Sequence, residues 1–411
     1  MDIRLIRKKD PKIADLIEKE TKRHQETLNL VASENYPSAA VREALSSIFV
    51  VKYSEGRPYK RYYGGTENID ELETLVEERV RKVFRLNKNW AVNVQTYSGS
   101  QANYAVLRGI LNIGDKIMSL ALPHGGHLSQ GARVSLSGQD FKVVNYLLNK
   151  KGVLDYKEIE KLARKEKPNL IIAGYSAYPR KVDFKKFGQI ARKVGATFMA
   201  DIAHISGLVI GRVHPSPFPW ADVVTTTTHK TLRGPRGAII ICRKDLKDKI
   251  FPKVFPGLQG GPHNQTICGL GVALKEAQTK QFKKYAQQIV KNAKTLAAEL
   301  KKYGFDLISG GTDNHLILID LTNKGISGGE AQDLLEESGI ILNKNSIPYD
   351  QRKPFDPSGI RIGTPAITSR GMKEKEMKKI SLWINEVISN KKSSVRIKKE
   401  VKKLCQKFPI P

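Results

Sequence analysis

The chain has 411 residues, with 70 Lys and Arg against 41 Asp and Glu, a net charge of +29, and is 40% hydrophobic and 27% charged. Such a chain buries a core, divides into two or three domains and is not wholly disordered. No run approaches the ~20 apolar residues of a membrane span, the basic N-terminus lacks a signal peptide's apolar stretch, and Cys242, Cys268 and Cys405 have neither paired nor metal-ligand spacing, so a cytoplasmic protein without a metal is expected.

Residues 1–50 read as a helical arm, with Ile13, Leu16 and Ile17 at helical spacing and Asp10-Pro11 as cap and first helical position. Residues 51–65 are loop-like and dense in Tyr, Gly and Arg. From 66 to 275, apolar or β-branched runs at 90–95, 116–121, 142–146, 170–173, 197–201, 223–228 and 238–242 alternate with helical patterns. That alternation predicts a large α/β domain over 51–275, with a mostly parallel seven-stranded sheet flanked by helices. From 276 the pattern changes. One long basic helix over 274–303, an alternating segment at 315–321 and a helix at 330–338 predict a smaller α+β domain over 276–411. The last forty residues hold 12 Lys and Arg against 4 Asp and Glu, and Ile380, Trp383, Ile384, Val387 and Ile388 give them a helical period. The tail therefore reads as an amphipathic helix with a solvated basic face. No RGG repeat, zinc-finger spacing or aromatic-basic motif accompanies the charge, so nucleic acid is not expected as a partner.

Ligands of parallel α/β sheets bind beyond the carboxyl ends of the strands, so the residues following each run carry the chemistry. After the first run, Ser98, Gly99 and Ser100 open a helical pattern, which suits either an anion site or an ordinary cap. Neither GxxxxGK[ST] nor GxGxxG occurs, which disfavours nucleotide binding in those styles. Asp201 ends the fifth run, where a carboxylate can face a cationic nitrogen or cap the next segment. The sixth run, with four threonines from Thr225 to Thr228, is followed by His229 and Lys230 and then a glycine-rich turn. A desolvated amine there is poised for Schiff-base chemistry. An anion cradle, a carboxylate and a lysine on neighbouring strand ends together suit pyridoxal 5′-phosphate: its phosphate, ring nitrogen and aldehyde need one of each.

Further motifs run in order through the chain: Val31-Ala32-Ser33-Glu34-Asn35-Tyr36, Tyr53-Ser54-Glu55-Gly56, Lys60-Arg61-Tyr62-Tyr63-Gly64-Gly65, Ser98-Gly99-Ser100-Gln101-Ala102-Asn103 and His124-Gly125-Gly126-His127. They continue with Asp201-Ile202-Ala203-His204, the stretch from Thr228 to Gly237, Phe255-Pro256-Gly257-Leu258-Gln259-Gly260-Gly261-Pro262 and Gly359-Ile360-Arg361-Ile362-Gly363-Thr364-Pro365. From Leu28 to Pro411 the chain resembles the serine hydroxymethyltransferases, fold-type-I pyridoxal-phosphate enzymes of the aspartate aminotransferase superfamily.

The resemblance implies reversible transfer of the serine hydroxymethyl carbon to tetrahydrofolate, giving glycine and 5,10-methylenetetrahydrofolate. It assigns Lys230 to the cofactor aldehyde, Asp201 to the pyridine nitrogen and His127 to the ring face. Ser176 and His204 fall beside the phenolic oxygen, and Ser98, Gly99 and Ser100 at the phosphate. Gly260 and Gly261 would reach that phosphate from a second subunit of a homodimer, and Tyr53 would also cross the interface. Arg361, assisted by Ser33, would bind the substrate carboxylate, for which the guanidinium fork is suited. Glu55 would serve as acid/base on the hydroxyl, although in a glycine-bearing loop it could instead be a solvated carboxylate. Thr227 and His229 fall in the catalytic group and Tyr63 in the substrate site, although His229 could instead orient the cofactor loop and Tyr63 could be a packing aromatic. His124 reads as an incidental loop residue. Leu122, Gly125, Gly126, Asn345 and Phe355 match pterin contacts. Where many relatives have Ser-Pro-Phe this chain has Lys353-Pro354-Phe355, which leaves folate or a methanopterin-type carrier open and gives Lys353 either an acidic tail or water to face. Two further readings stand beside this one: an aldolase needing no carrier, and a basic RNA-binding protein.

Overall fold

The apolar runs between residues 90 and 243 come together as one sheet in the computed structural model, which describes residues 3–389 and 394–411. Its strands are β1 (Trp90–Asn93), β2 (Lys116–Leu120), β3 (Lys142–Tyr146), β4 (Leu170–Gly174), β5 (Thr197–Asp201), β6 (Val223–Thr227) and β7 (Ala238–Arg243). Their spatial order is β1-β7-β6-β5-β4-β2-β3. The pairs from β6 to β3 are parallel, and only β7 runs against its neighbours β6 and β1. β1 to β6 therefore point one way, and their carboxyl ends share one edge. In β4, Ile171 and Ala173 pack into one core while Leu170 and Ile172 pack into another. Both faces are covered by helices, which is why the strands read as unbroken apolar runs rather than alternating ones.

A second sheet of four strands is built from β8 (Asp306–Leu307), β9 (Leu316–Asp320), β10 (Asn343–Asn345) and β11 (Gly359–Gly363), in the order β8-β9-β11-β10. β9 was expected to alternate, but Leu316 to Ile319 are all buried. Ile317 and Ile319 join the core with Trp383 and Ile384, while Leu318 packs on Ala177 and Ile347 across the other face.

The long helix expected over 274–303 is two helices, Asn264–Ala277 and Lys280–Lys302. Thr279 ends the first register and caps the second, its side chain accepting from Phe282 N at 3.1 Å, as a hydroxyl at that position does. The expected loop at 51–65 contains a hairpin, Gly56–Arg57 against Lys60–Arg61. Gly56 has φ +101°, and a Cβ there would lie 2.3 Å from the Lys60 carbonyl oxygen, so only glycine fits.

In the arm, Asp10 accepts from Ile13 N at 3.1 Å and Pro11 opens the helix Pro11–Glu26, as the sequence indicates. The chain then pairs Leu28–Asn29 with Ile340–Ile341, placing Leu28 and Leu30 in the second sheet's core. The helix Glu374–Ser389 buries Ile380, Trp383, Ile384, Val387 and Ile388 and leaves Lys375, Lys378 and Lys379 exposed. Residues 390–393 of the basic tail and the first two of the arm lie outside the described residues.

Candidate active site

Lys230 lies three residues past the end of β6, and its Nζ donates to Thr227 Oγ1 at 2.9 Å. Burial, the main cause, pushes its pKa down to about 8; Asp201 opposes this and Arg361 and Arg236 add to it. The Lys230 backbone is braced from the arm, where Asn35 Nδ2 donates to its carbonyl at 2.8 Å.

Asp201 ends β5 and serves two purposes. Its Oδ1 accepts from Ala203 N at 3.0 Å, the local turn that a cap reading expects. Its Oδ2 accepts from Asn103 Nδ2 at 2.8 Å and Gln130 Nε2 at 2.9 Å, which holds the carboxylate from two other elements. Asn103 also donates to Ser129 Oγ at 2.9 Å and accepts from Thr225 Oγ1 at 2.7 Å. The Ser129 amide donates to His127 Nδ1 at 3.2 Å, so Nδ1 carries a lone pair and the neutral ring bears its proton on Nε2. Burial is the main cause that lowers the His127 pKa, and Lys230 and Arg361 add to it. Asp201 opposes that shift, so His127 interacts electrostatically with Asp201, Lys230 and Arg361.

Arg361 reaches this site from β11. Its Nη1 donates to the Ser176 carbonyl at 2.7 Å, and its Nε and Nη2 donate to Asn343 Oδ1 at 3.1 and 3.0 Å. Burial lowers its pKa to about 10, and no carboxylate among the described residues pairs with it. Ser176 is fixed in turn, its amide donating to the Gly125 carbonyl at 2.8 Å. His204 Nδ1 lies 3.2 Å from His315 Nε2. Burial holds both rings neutral, His204 well below the ordinary histidine range and His315 at about 3.

Ser98 caps the helix Gly99–Ile110, accepting from Gln101 N at 3.4 Å. A Cβ on Gly99 would come 2.7 Å from Thr227 Cγ2, so this N-terminus presses against the end of β6. Ser98 and Ser100 are exposed there.

Four of the expected site residues lie apart from this group. Tyr53, Glu55, Gly260 and Gly261 line a separate cavity of about 390 Å³ with Tyr97 and His263; Lys230, Asp201 and Arg361 do not line it. A Cβ on Gly260 would sit 3.6 Å from Glu55 Oε1. Tyr53 is 63% exposed and packs its ring 5.7 Å from Tyr63. Ser33 and His229 share another cavity; burial pushes His229 down to about 3, and its Nδ1 has no hydrogen-bond partner among the described residues. Leu122, Phe355 and Lys353 are exposed and Asn345 is half-buried. Gly125 and Gly126 are buried, and a Cβ on Gly126 would lie 2.2 Å from the Leu120 carbonyl oxygen. His124 has a structural contact, its Nδ1 accepting from Leu148 N at 3.1 Å.

Asn103, Gln130, Asn343 and Asn35 hold the site together, yet the sequence reading assigned none of them a task. Only Asn103 left a local signal: it lies one helical turn after Gly99 on the helix that opens at Ser98.

The serine hydroxymethyltransferase family model matches residues 6–384. A serine hydroxymethyltransferase of Desulfotalea psychrophila is 54% identical over 409 residues, covering 99% of this chain and 96% of that protein. One from Sorangium cellulosum is 52% identical over 413 residues, covering 100% of this chain and 97% of that protein. With likeness over its whole length, and a lysine, a carboxylate and an unpaired guanidinium gathered at the strand ends, the chain belongs to the serine hydroxymethyltransferase family.

Proposed function

We propose that the protein transfers the hydroxymethyl carbon of L-serine reversibly to tetrahydrofolate, giving glycine and 5,10-methylenetetrahydrofolate, with pyridoxal phosphate as cofactor. Its relatives bear the name of this activity. The observation that carries the reading is Arg361, a buried guanidinium with only neutral partners, set within electrostatic reach of an amine whose pKa is about 8. A buried cation without a counter-charge is costly, and a substrate carboxylate removes that cost.

The donor set fits pyridoxal phosphate. Lys230 would hold the aldehyde, Asp201 the pyridine nitrogen, His127 the ring face, and Ser176 and His204 the phenolic oxygen. Ser98, Gly99 and Ser100 would hold the phosphate at the helix N-terminus. When bound, the cofactor supplies an electron sink for the pair left as the serine Cα–Cβ bond breaks.

The chain's own groups do the rest. Arg361 and Ser33 anchor the substrate carboxylate, which fixes the bond to be cleaved relative to the ring. Asp201, held by Asn103, Gln130 and Ala203, would offer its carboxylate to the pyridine nitrogen. Thr227 keeps the displaced Lys230 amine close, and His229 orients the turn that carries it. Glu55 takes the proton of the serine hydroxyl as the one-carbon unit leaves and returns it in the reverse direction. Tyr63 closes the substrate side. Leu122, Gly125, Gly126, Asn345 and Phe355 form the pterin side, with Lys353 available to an acidic tail.

A homodimer completes the site. Tyr53, Glu55, Gly260 and Gly261 line a cavity apart from Lys230, and a second copy would bring them to it. The large exposed apolar and aromatic side chains around them support this: Ile48 80%, Val50 63%, Val51 69% and Tyr62 83%. The arm adds Leu5 at 81% and Leu16 at 59%. No helix among the described residues is long and apolar enough to cross a membrane, and three free cysteines support a reducing, cytoplasmic location.

The test uses the purified protein in a serine-to-glycine assay with and without tetrahydrofolate. Carrier-dependent turnover is expected; turnover indifferent to the carrier, or protein that binds no pyridoxal phosphate, overturns the reading. Mixing equal amounts of inactive Lys230→Ala chains and of Glu55→Gln chains, which keep a small measurable turnover, should raise the activity to about one quarter of the parent's, because half the dimers then hold one intact shared site. No restoration would place Glu55 in the same chain's site.

A further inference from the structure

Glu55 immediately precedes a hairpin of only two residues per strand, too short to hold its own geometry in water. Its carboxylate makes no hydrogen bond or ion pair among the described residues, yet three successive carbonyls around it are held. Arg61 Nη1 donates to the Ser54 carbonyl at 2.9 Å and to the Gly56 carbonyl at 3.0 Å. Gln95 Nε2 donates to the Gly56 carbonyl at 2.8 Å, and the Tyr62 amide donates to that of Glu55 at 3.0 Å.

The Arg61 guanidinium is itself fixed. Its side chain is 2% exposed, its Nε donates to Asp70 Oδ1 at 2.7 Å, and its Nη2 donates to Glu73 Oε2 at 2.8 Å. Glu73 is fully buried and also accepts from Arg57 at 2.8 Å and Gln95 at 2.9 Å. Arg57 already pairs with Glu73 and Glu77, so Glu73 keeps a cation without Arg61. Beyond its ion pair with Asp70, Arg61 adds the grip on both carbonyls flanking Glu55.

We propose that Arg61 is a positioning residue that aims Glu55 at the substrate, by clamping the backbone on either side of it while leaving its carboxylate free. The proposal rests on the acid/base reading of Glu55. The planar fork is needed, because Nε and Nη2 face the helix carboxylates while Nη1 spans two carbonyls; a lysine ammonium cannot meet all four acceptors. A misplaced acid/base costs about 10²-fold in rate without weakening substrate binding.

Arg61→Lys, Glu55→Gln and the double variant are compared on holoenzyme with matched cofactor absorbance and oligomeric state. Arg61→Lys is expected to lower kcat about 10²-fold, to leave the KM for serine within about threefold, and to cost nothing further on the Glu55→Gln background. A kcat within about threefold of the parent, or an equal loss on both backgrounds, overturns the proposal. Unchanged kcat in Glu55→Gln alone would instead overturn the role of Glu55. If Arg61→Lys does not fold, Gln95→Ala removes one donor from the Gly56 carbonyl and keeps both Arg61 ion pairs. It should lower kcat about tenfold on the parent and not on Glu55→Gln, and equal losses there would again refute the clamp.

Discussion

Removing the Arg361 guanidinium tests the carboxylate site most directly. Arg361 is 9% exposed, and its side-chain partners are one amide oxygen and one carbonyl. Burial alone brings its pKa to about 10, which at about 1.4 kcal/mol per unit corresponds to roughly 3 kcal/mol of charge burial without compensation. A bound carboxylate can recover an energy of that size, so Arg361→Ala should weaken glycine by about 10²-fold. Arg361→Lys should recover part of the loss, since the charge returns without the fork. The assay is a titration of the cofactor's absorbance with glycine and, in parallel, with ethanolamine, which has the amine but no carboxylate. Ethanolamine binding should stay within about threefold of the parent protein's. A glycine Kd that moves less than about fivefold, or an equal loss for both ligands, would refute the reasoning.

The Lys230 amine, at about 8, makes cofactor loading depend on pH. Only the neutral amine attacks an aldehyde, so the rate at which the apoprotein takes up pyridoxal phosphate should rise with pH and level off above a midpoint near 8. Asp201→Asn removes the charge that opposes this shift, so its midpoint should move lower; a midpoint that moves upward contradicts the electrostatics. Arg370 is 5% exposed and donates to the carbonyls of Gln25 and Thr27 at the end of one helix, and of Cys405 and Phe408 at the end of another. Arg370→Ala leaves those helix ends unsatisfied and should lower stability by about 3 kcal/mol, read as an earlier urea midpoint of the apoprotein at unchanged slope. A loss below about 0.5 kcal/mol would show that water replaces the guanidinium.

Read alone, the sequence determined the strands of the large sheet, because a parallel sheet covered on both faces demands unbroken apolar runs and each run is local. It also located Lys230, Asp201 and the Ser98 helix start, because strand ends are where such folds bind ligands. The net charge of +29, its most conspicuous feature, identified none of them. Only the tertiary structure decided what holds these groups. Asn103 and Gln130 reach Asp201 across 98 and 71 residues, and the Arg61 guanidinium that grips the carbonyls flanking Glu55 is held by a helix, Glu67–Phe84, that the 51–65 segment does not contain. Such partners obey no helical or strand period; they are chosen by how the sheets, helices and loops close on one another. The same holds for the break at Thr279, where local helical character runs on and a hydroxyl cap starts a new helix. A sequence records which groups are available at each strand end, whereas burial and distance, which set their protonation and their aim, exist only once the chain has closed.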